Sequence, residues 1–187
     1  NMLIHQDMFA PGSGPMVEIF SDRIEITNPG KPLVEPDRFM DSPPKSRNEL
    51  MASLMRRLGI CEERGSGIDK VAGQVELFQL PAPIFEDPEG FTRIVLFAHR
   101  PLVEMEKADR VRACYLHACL RYVTRQHMTN SSVRQRFGIE GQNAATASRL
   151  LKEAVEAGSI APYDPKAANK LMRYVPYWAA PKHRNFP

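Results

Sequence analysis

The two halves of this chain carry opposite charge, which restricts it to folds that keep a basic part apart from an acidic one. Residues 1–104 hold 11 Lys and Arg against 16 Asp and Glu, a net of −5, whereas residues 105–187 hold 14 against 6, a net of +8. The whole-chain value of +3 conceals the split. A chain of 187 residues has room for two small domains. The basic half is expected to meet a polyanion and the acidic half to do something else.

At 43% hydrophobic and 25% charged the composition is that of a globular protein. The three cysteines, Cys61, Cys114 and Cys119, are odd in number and lack metal-ligand spacing, so they read as buried thiols in a reducing compartment. No apolar run reaches the length of a membrane span, and no signal-peptide pattern opens the chain; a cytoplasmic location without membrane contact is expected. Asn1 leads straight into Met2-Leu3-Ile4-His5, a pattern that suits the middle of a helix, so sequence upstream of Asn1 is also expected.

Two alternating runs, Met16–Phe20 and Arg23–Thr27, flank Ser21-Asp22 and predict a β-hairpin. Asn28-Pro29-Gly30 is expected to end the second strand, because proline cannot donate to a ladder. Residues 31–46 read as a long loop. Leu50, Leu54 and Leu58 recur every four residues over 47–58 and predict an amphipathic helix stopped by Gly59. A helix over about 67–78 follows the glycine cluster at 65–67, and strands are expected around Ile84-Phe85 and over Phe91–Phe97. The first domain is thus mixed α/β over 1–98, with a linker at 99–106.

Beyond it the pattern is helical. Val111, Cys114, Tyr115, Ala118, Cys119 and Tyr122 mark one helix over 108–125. A short helix carries Val133 and Phe137 and ends at Gly138. A third runs from Ala144 to Ala157, with Ala147, Leu150, Leu151, Ala154 and Val155 on one face. The runs 159–163 and 171–175 then make a hairpin with a basic loop, and 180–187 reads as a mobile tail. Three helices and a hairpin over 107–179 are the elements of a winged helix-turn-helix, whose third helix enters the major groove of duplex DNA. With the apolar face inward, Gln142, Asn143, Thr146, Arg149 and Lys152 point outward, the types that read base edges and phosphates. Arg134 and Arg136 on the preceding helix, and Lys166, Lys170 and Arg173 on the wing, supply phosphate contacts.

Residues 1–7, Asp22–Gly30 and Glu63–Ile68 together resemble the C-terminal region of bacterial proteins described as RecG-like, ATP-dependent DNA helicase-related, or transcriptional regulators. In such proteins an Alba-like, Schlafen-related domain usually comes first. The resemblance implies an α/β (α+β) architecture: a degenerate GHKL-type ATP-binding sandwich followed by the winged helix. It places Asn1 at the Mg²⁺-ligating position, His5 beside the nucleotide, Asn28 and Gly30 at the adenine-reading turn, and Gly65, Ser66 and Gly67 at the phosphate lid. Amide oxygens ligate hard cations, and backbone N–H groups ahead of a helix hold phosphates. The adenine-reading acid is here Asn28, and the water-activating Glu of the family would lie upstream of Asn1. No Gly-x-x-x-x-Gly-Lys-Ser/Thr stretch occurs, so a P-loop helicase motor is not expected. The resulting expectation is a homodimeric, DNA-binding transcriptional regulator with a nucleotide-sensing or dimerisation domain. The alternative is a GHKL-type ATPase, with ATP and Mg²⁺ as cofactors, coupled to DNA binding.

Overall fold

The computed structural model describes residues 2–12, 14–43, 45–61 and 67–181. The chain forms two units, one from residues 1–74 and 83–98, the other from 75–82 and 99–187.

In the first unit, α1 (Met2–His5) precedes the hairpin β1 (Met16–Ile19) and β2 (Arg23–Pro29), and α2 (Glu49–Arg57) and α3 (Gly67–Leu77) precede β3 (Ile84–Glu86) and β4 (Phe91–Phe97). All pairings are antiparallel, in the order β1-β2-β4-β3. The fold is therefore mixed α and β on an antiparallel sheet, as the sequence indicated. The Ser21-Asp22 turn is closed by the Phe20 N–H donating to the Arg23 carbonyl at 2.9 Å. Strand β2 ends within Asn28-Pro29-Gly30, as expected, at Pro29. Pro29 pairs with Phe91 on β4, and β1 reaches only as far as Thr27, so the missing proline N–H falls where no neighbouring strand needs it.

Helix α2 is the expected amphipathic helix, with Leu58 at its C-cap ahead of Gly59. The row Leu50, Leu54 and Leu58 is a real stripe, yet it faces outward, Leu50 being 89% exposed, while Ala52 is the buried residue. Periodicity marks a face of a helix without saying which face finds cover. The loop at 31–46 contains one 3₁₀ turn, Pro36–Arg38.

The second unit joins the end of α3 and the loop behind it to α4 (Lys107–Val123), α5 (Asn130–Phe137), α6 (Ala144–Glu156), β5 (Ile160–Pro162) and β6 (Tyr174–Pro176). Helix α4 ends two residues earlier than expected. The Thr124 hydroxyl folds back onto the Leu120 carbonyl at 2.9 Å, and Arg125 turns left-handed at φ 61°. Helix α5 begins with a capping box in which Thr129 and Ser132 exchange side-chain-to-backbone hydrogen bonds, and it closes on Gly138 at φ 63°. A 3₁₀ turn, Gly141–Asn143, leads into α6, whose Ala147, Leu150, Leu151 and Ala154 are buried. Strands β5 and β6 pair antiparallel, and Met128 adds a short third rung by bonding Tyr174 in both directions, at 3.1 and 2.8 Å. Behind the hairpin, Trp178 donates its indole N–H to the Tyr115 hydroxyl at 3.0 Å and meets the Tyr122 ring edge-on. Among the described residues no helix is long and apolar enough to cross a membrane.

Candidate functional site

Three of the expected nucleotide-site residues, His5, Asn28 and Gly30, come together around the end of α1. A helix end leaves its last carbonyls without partners, and a four-residue helix has almost nothing else. Asn28 donates its amide N–H to the Met2 carbonyl at 3.0 Å, Arg47 Nε donates to the His5 carbonyl at 3.2 Å, and Asn48 Nδ2 donates to the Gln6 carbonyl at 2.9 Å. The Asn48 backbone N–H takes the Ile4 carbonyl at 3.0 Å. Asn48 stands at the N-cap of α2, yet its side chain caps α1 instead. Gly30, at φ 100°, would carry a side chain only with strain: a Cβ would stand 3.0 Å from the Arg47 guanidinium and from Asp7 Cβ.

The electrostatics of this cluster select what it can hold. Burial, together with nearby positive charge including Arg47, holds the His5 imidazole below its usual pKa, so it is neutral near pH 7 and offers no cation to a phosphate. Asn28 is 8% exposed, and because its amide nitrogen must face the Met2 carbonyl, its oxygen is fixed facing the other way. That oxygen is buried without a hydrogen-bond partner in the structure. A buried, unpaired acceptor suits a ligand N–H donor such as the exocyclic amine of an adenine ring. Of the residues expected at the metal and the phosphates, Asn1, Gly65 and Ser66 lie outside the described residues, and Gly67 opens α3. No cluster of metal-ligating side chains occurs among the described residues.

In the second unit the polar residues of α6 lie opposite its buried face, and Gln142 and Asn143 fall in the 3₁₀ turn that precedes it. Gln142, Asn143, Arg149 and Lys152 are exposed and Thr146 is half-buried. Lys166, Lys170 and Arg173 are exposed on the hairpin and its loop. Gln142 donates to the Glu140 carboxylate at 2.6 Å, and Arg149 donates to the Thr146 hydroxyl at 3.4 Å. Lys152, 77% exposed, pairs with Glu156 at 3.8 Å, an interaction that water and salt screen. Arg134 is half-buried, its Nε donating to Asn130 at 3.2 Å.

Arg136 is a correction: it was expected on the outer surface and is 3% exposed. Its guanidinium donates to the Leu80 carbonyl at 2.6 Å and lies 3.9 Å from the Glu76 carboxylate, and burial depresses its pKa. A guanidinium held in this way cannot reach a phosphate. Charge alone suggested an outward side chain, but α5 presents Ser132, Val133, Arg136 and Phe137 as its inner face.

That inner face contains an array not anticipated from sequence. Glu76 Oε1 lies 2.9 Å from His117 Nδ1, and His117 Nε2 lies 2.9 Å from the Ser132 hydroxyl. A carboxylate only accepts, so Nδ1 carries a proton. The order carboxylate, imidazole, hydroxyl is that of a hydrolytic relay. Here His117 and Ser132 are 4% and 6% exposed, and the hydroxyl oxygen already accepts the Thr129 N–H at 2.9 Å, so the row braces the unit. The only sequence signal was His117 sharing a helix face with Cys114 and Ala118.

Comparison with known proteins bears on both units. The fold recurs in the crystal structure of the DIP2311 protein from Corynebacterium diphtheriae, with a TM-score of 0.53 and 17% identity over 94% of this chain. The chain spans 38% of the length of that protein. No curated protein matches the chain. Residues 12–96 match the family described as "Putative ATP-dependent DNA helicase recG C-terminal". That match takes in β1, β2, β4 and the Asn28–Gly30 turn, so it is the first unit that is similar to the RecG C-terminal, helicase-related family.

Proposed function

We propose that this chain is a DNA-binding transcriptional regulator, with a winged helix in its second unit and a degenerate GHKL-type domain in its first. The observation that carries the reading is the surface of α6. Its Ala147, Leu150, Leu151 and Ala154 are buried, its Arg149 and Lys152 are exposed together with Asn143 at its N-cap, and the hairpin adds Lys166, Lys170 and Arg173. A helix of this kind lies in the major groove, where amide and guanidinium groups pair with base edges while hairpin cations hold neighbouring phosphates. In a cytoplasmic regulator of this class a two-fold homodimer would present two copies of α6 to a palindromic site. The joint substitution Arg149→Ala and Lys152→Ala should weaken binding to a labelled duplex by on the order of 100-fold, at about one decade per lost contact. Fluorescence anisotropy of the full chain measures this; unchanged affinity would remove the reading.

A second reading, a GHKL-type ATPase coupled to DNA binding, is supported by the buried, unpaired Asn28 oxygen. Asn28 would accept from the adenine amine, Gly67 at the start of α3 would lie toward the phosphates, and Asn1 would ligate Mg²⁺. The Mg²⁺ ion, when bound, would neutralise phosphate charge. Calorimetry with ADP should detect binding to the unaltered chain that Asn28→Ala weakens at least tenfold, since the variant deletes a buried acceptor. Absence of ADP binding at millimolar concentration would eliminate this second reading.

A further inference from the structure

We infer that Asn130 is a positioning residue that fixes how α6 is turned, and so which of its side chains face DNA; the inference rests on the DNA-binding reading above. Asn130 is the first residue of α5, and all the hydrogen-bonding groups of its amide are engaged. One N–H points to the Ala144 carbonyl, in the first turn of α6, at 3.1 Å, and the other to the Ser148 hydroxyl, one turn further on, at 3.0 Å. Its oxygen accepts from Arg134 Nε at 3.2 Å. An amide carries two donors and one acceptor oxygen, so both donors of this side chain go to α6 and its oxygen is engaged by its own helix.

Ser148 is exposed on α6 beside Arg149, its hydroxyl donating to the Ala144 carbonyl at 3.3 Å while accepting from Asn130. The bond to Asn130 turns Ser148 toward α5, and residues on a helix are about 100° apart, so fixing Ser148 and Ala144 also fixes the direction of Arg149 and Thr146. The same amide aims Arg134: its Nη1 passes 3.5 Å from where a Cβ on Gly141 would stand, directly over the turn that leads into α6. Apolar contact through Ala147, Leu150 and Leu151 holds α6 on the unit, and Arg110 of α4 grips Glu153 near its far end with two bonds, at 3.1 and 3.3 Å; neither fixes the end from which Thr146 and Arg149 project. Directional bonds at its first two turns do. Thus Asn130 governs discrimination between sequences more than affinity for DNA as a polyanion.

The test uses the full chain with a randomised duplex pool, selecting bound sequences at one salt concentration, and anisotropy on an unselected duplex. Asn130→Ala should bind the unselected duplex within about twofold of the unaltered chain, because the exposed cations of α6 and the hairpin are untouched, and lose on the order of tenfold in preference for the selected sequence. Asn130→Asp keeps a partner for Arg134 but loses both donors to α6, and should lose as much preference as Asn130→Ala. Ser148→Ala removes one acceptor from an exposed position and should give a smaller loss of the same kind; if Asn130→Ala fails to fold, this variant decides. Unchanged selection by Asn130→Ala, full preference in Asn130→Asp, or no preferred sequence for the unaltered chain would each overturn the inference while leaving DNA binding in place. If the unaltered chain binds no duplex, the functional reading fails and the inference with it.

Discussion

Replacing Glu76 by alanine should destabilise the second unit by about 3–5 kcal/mol, the usual penalty for removing one partner of a buried charged pair. The carboxylate accepts from His117 Nδ1 and lies 3.9 Å from the guanidinium of Arg136. Both partners are buried, and Arg136 already has Nε and Nη1 without hydrogen-bond partners, so deleting Glu76 leaves a guanidinium with one carbonyl, that of Leu80, in place of a counter-charge. Glu76→Gln keeps an acceptor for His117 but removes the charge and should fall between. The readout is built in: Trp178 is the only tryptophan of the chain and sits in this unit, bonded to Tyr115. Its fluorescence during urea unfolding should show a midpoint well below that of the unaltered chain. A shift corresponding to less than about 1 kcal/mol would mean that water or another group replaces the carboxylate.

Association with duplex DNA should fall steeply with salt. Each neutralised phosphate contributes a slope of about −0.9 in log affinity against log salt concentration. Arg149, Lys152, Lys166, Lys170 and Arg173 are the exposed cations of α6 and the hairpin, and together they predict a slope near −4.5, or roughly 500-fold between 50 and 200 mM salt. Arg136 adds nothing to that slope, because it is enclosed in the unit. Counting it from the sequence alone would have made the expected dependence steeper by about one contact. Anisotropy across that salt range decides the matter; a slope near zero would show that the basic surface does not meet phosphates.

How legible each feature was depends on the distance over which its cause acts. The hairpin at 16–29, the stops at Gly59 and Gly138 and the inner face of α6 follow from local alternation, turn chemistry and helical period, and these elements are present with small shifts at their ends. Asn48 shows where local reasoning ends. Its side-chain oxygen is of the kind that caps its own helix, but the amide is held by its N–H groups, which donate to the Leu3 and Gln6 carbonyls more than forty residues earlier in the chain, and the oxygen makes no cap to α2. Arg136 and the leucines of α2 show the same limit from opposite sides: composition says what water would prefer, whereas tertiary pairing with Glu76 and Leu80, or its lack around Leu50, decides what is covered. At the candidate nucleotide site the turn Asn28-Pro29-Gly30 was readable as a motif, while the roles of Arg47 and Asn48 were not, since nothing in their neighbourhood in sequence points to α1.

Helix α3 begins in one unit and ends in the other, with Glu76 in its closing turn and the loop to Ala82 bound beneath α4 and α5. The carboxyl-terminal portion is therefore interleaved along the gene with its neighbour. Recombination cannot shuttle it between proteins as an uninterrupted cassette starting at residue 99, because such a transplant would arrive without the acid that its own interior is built around.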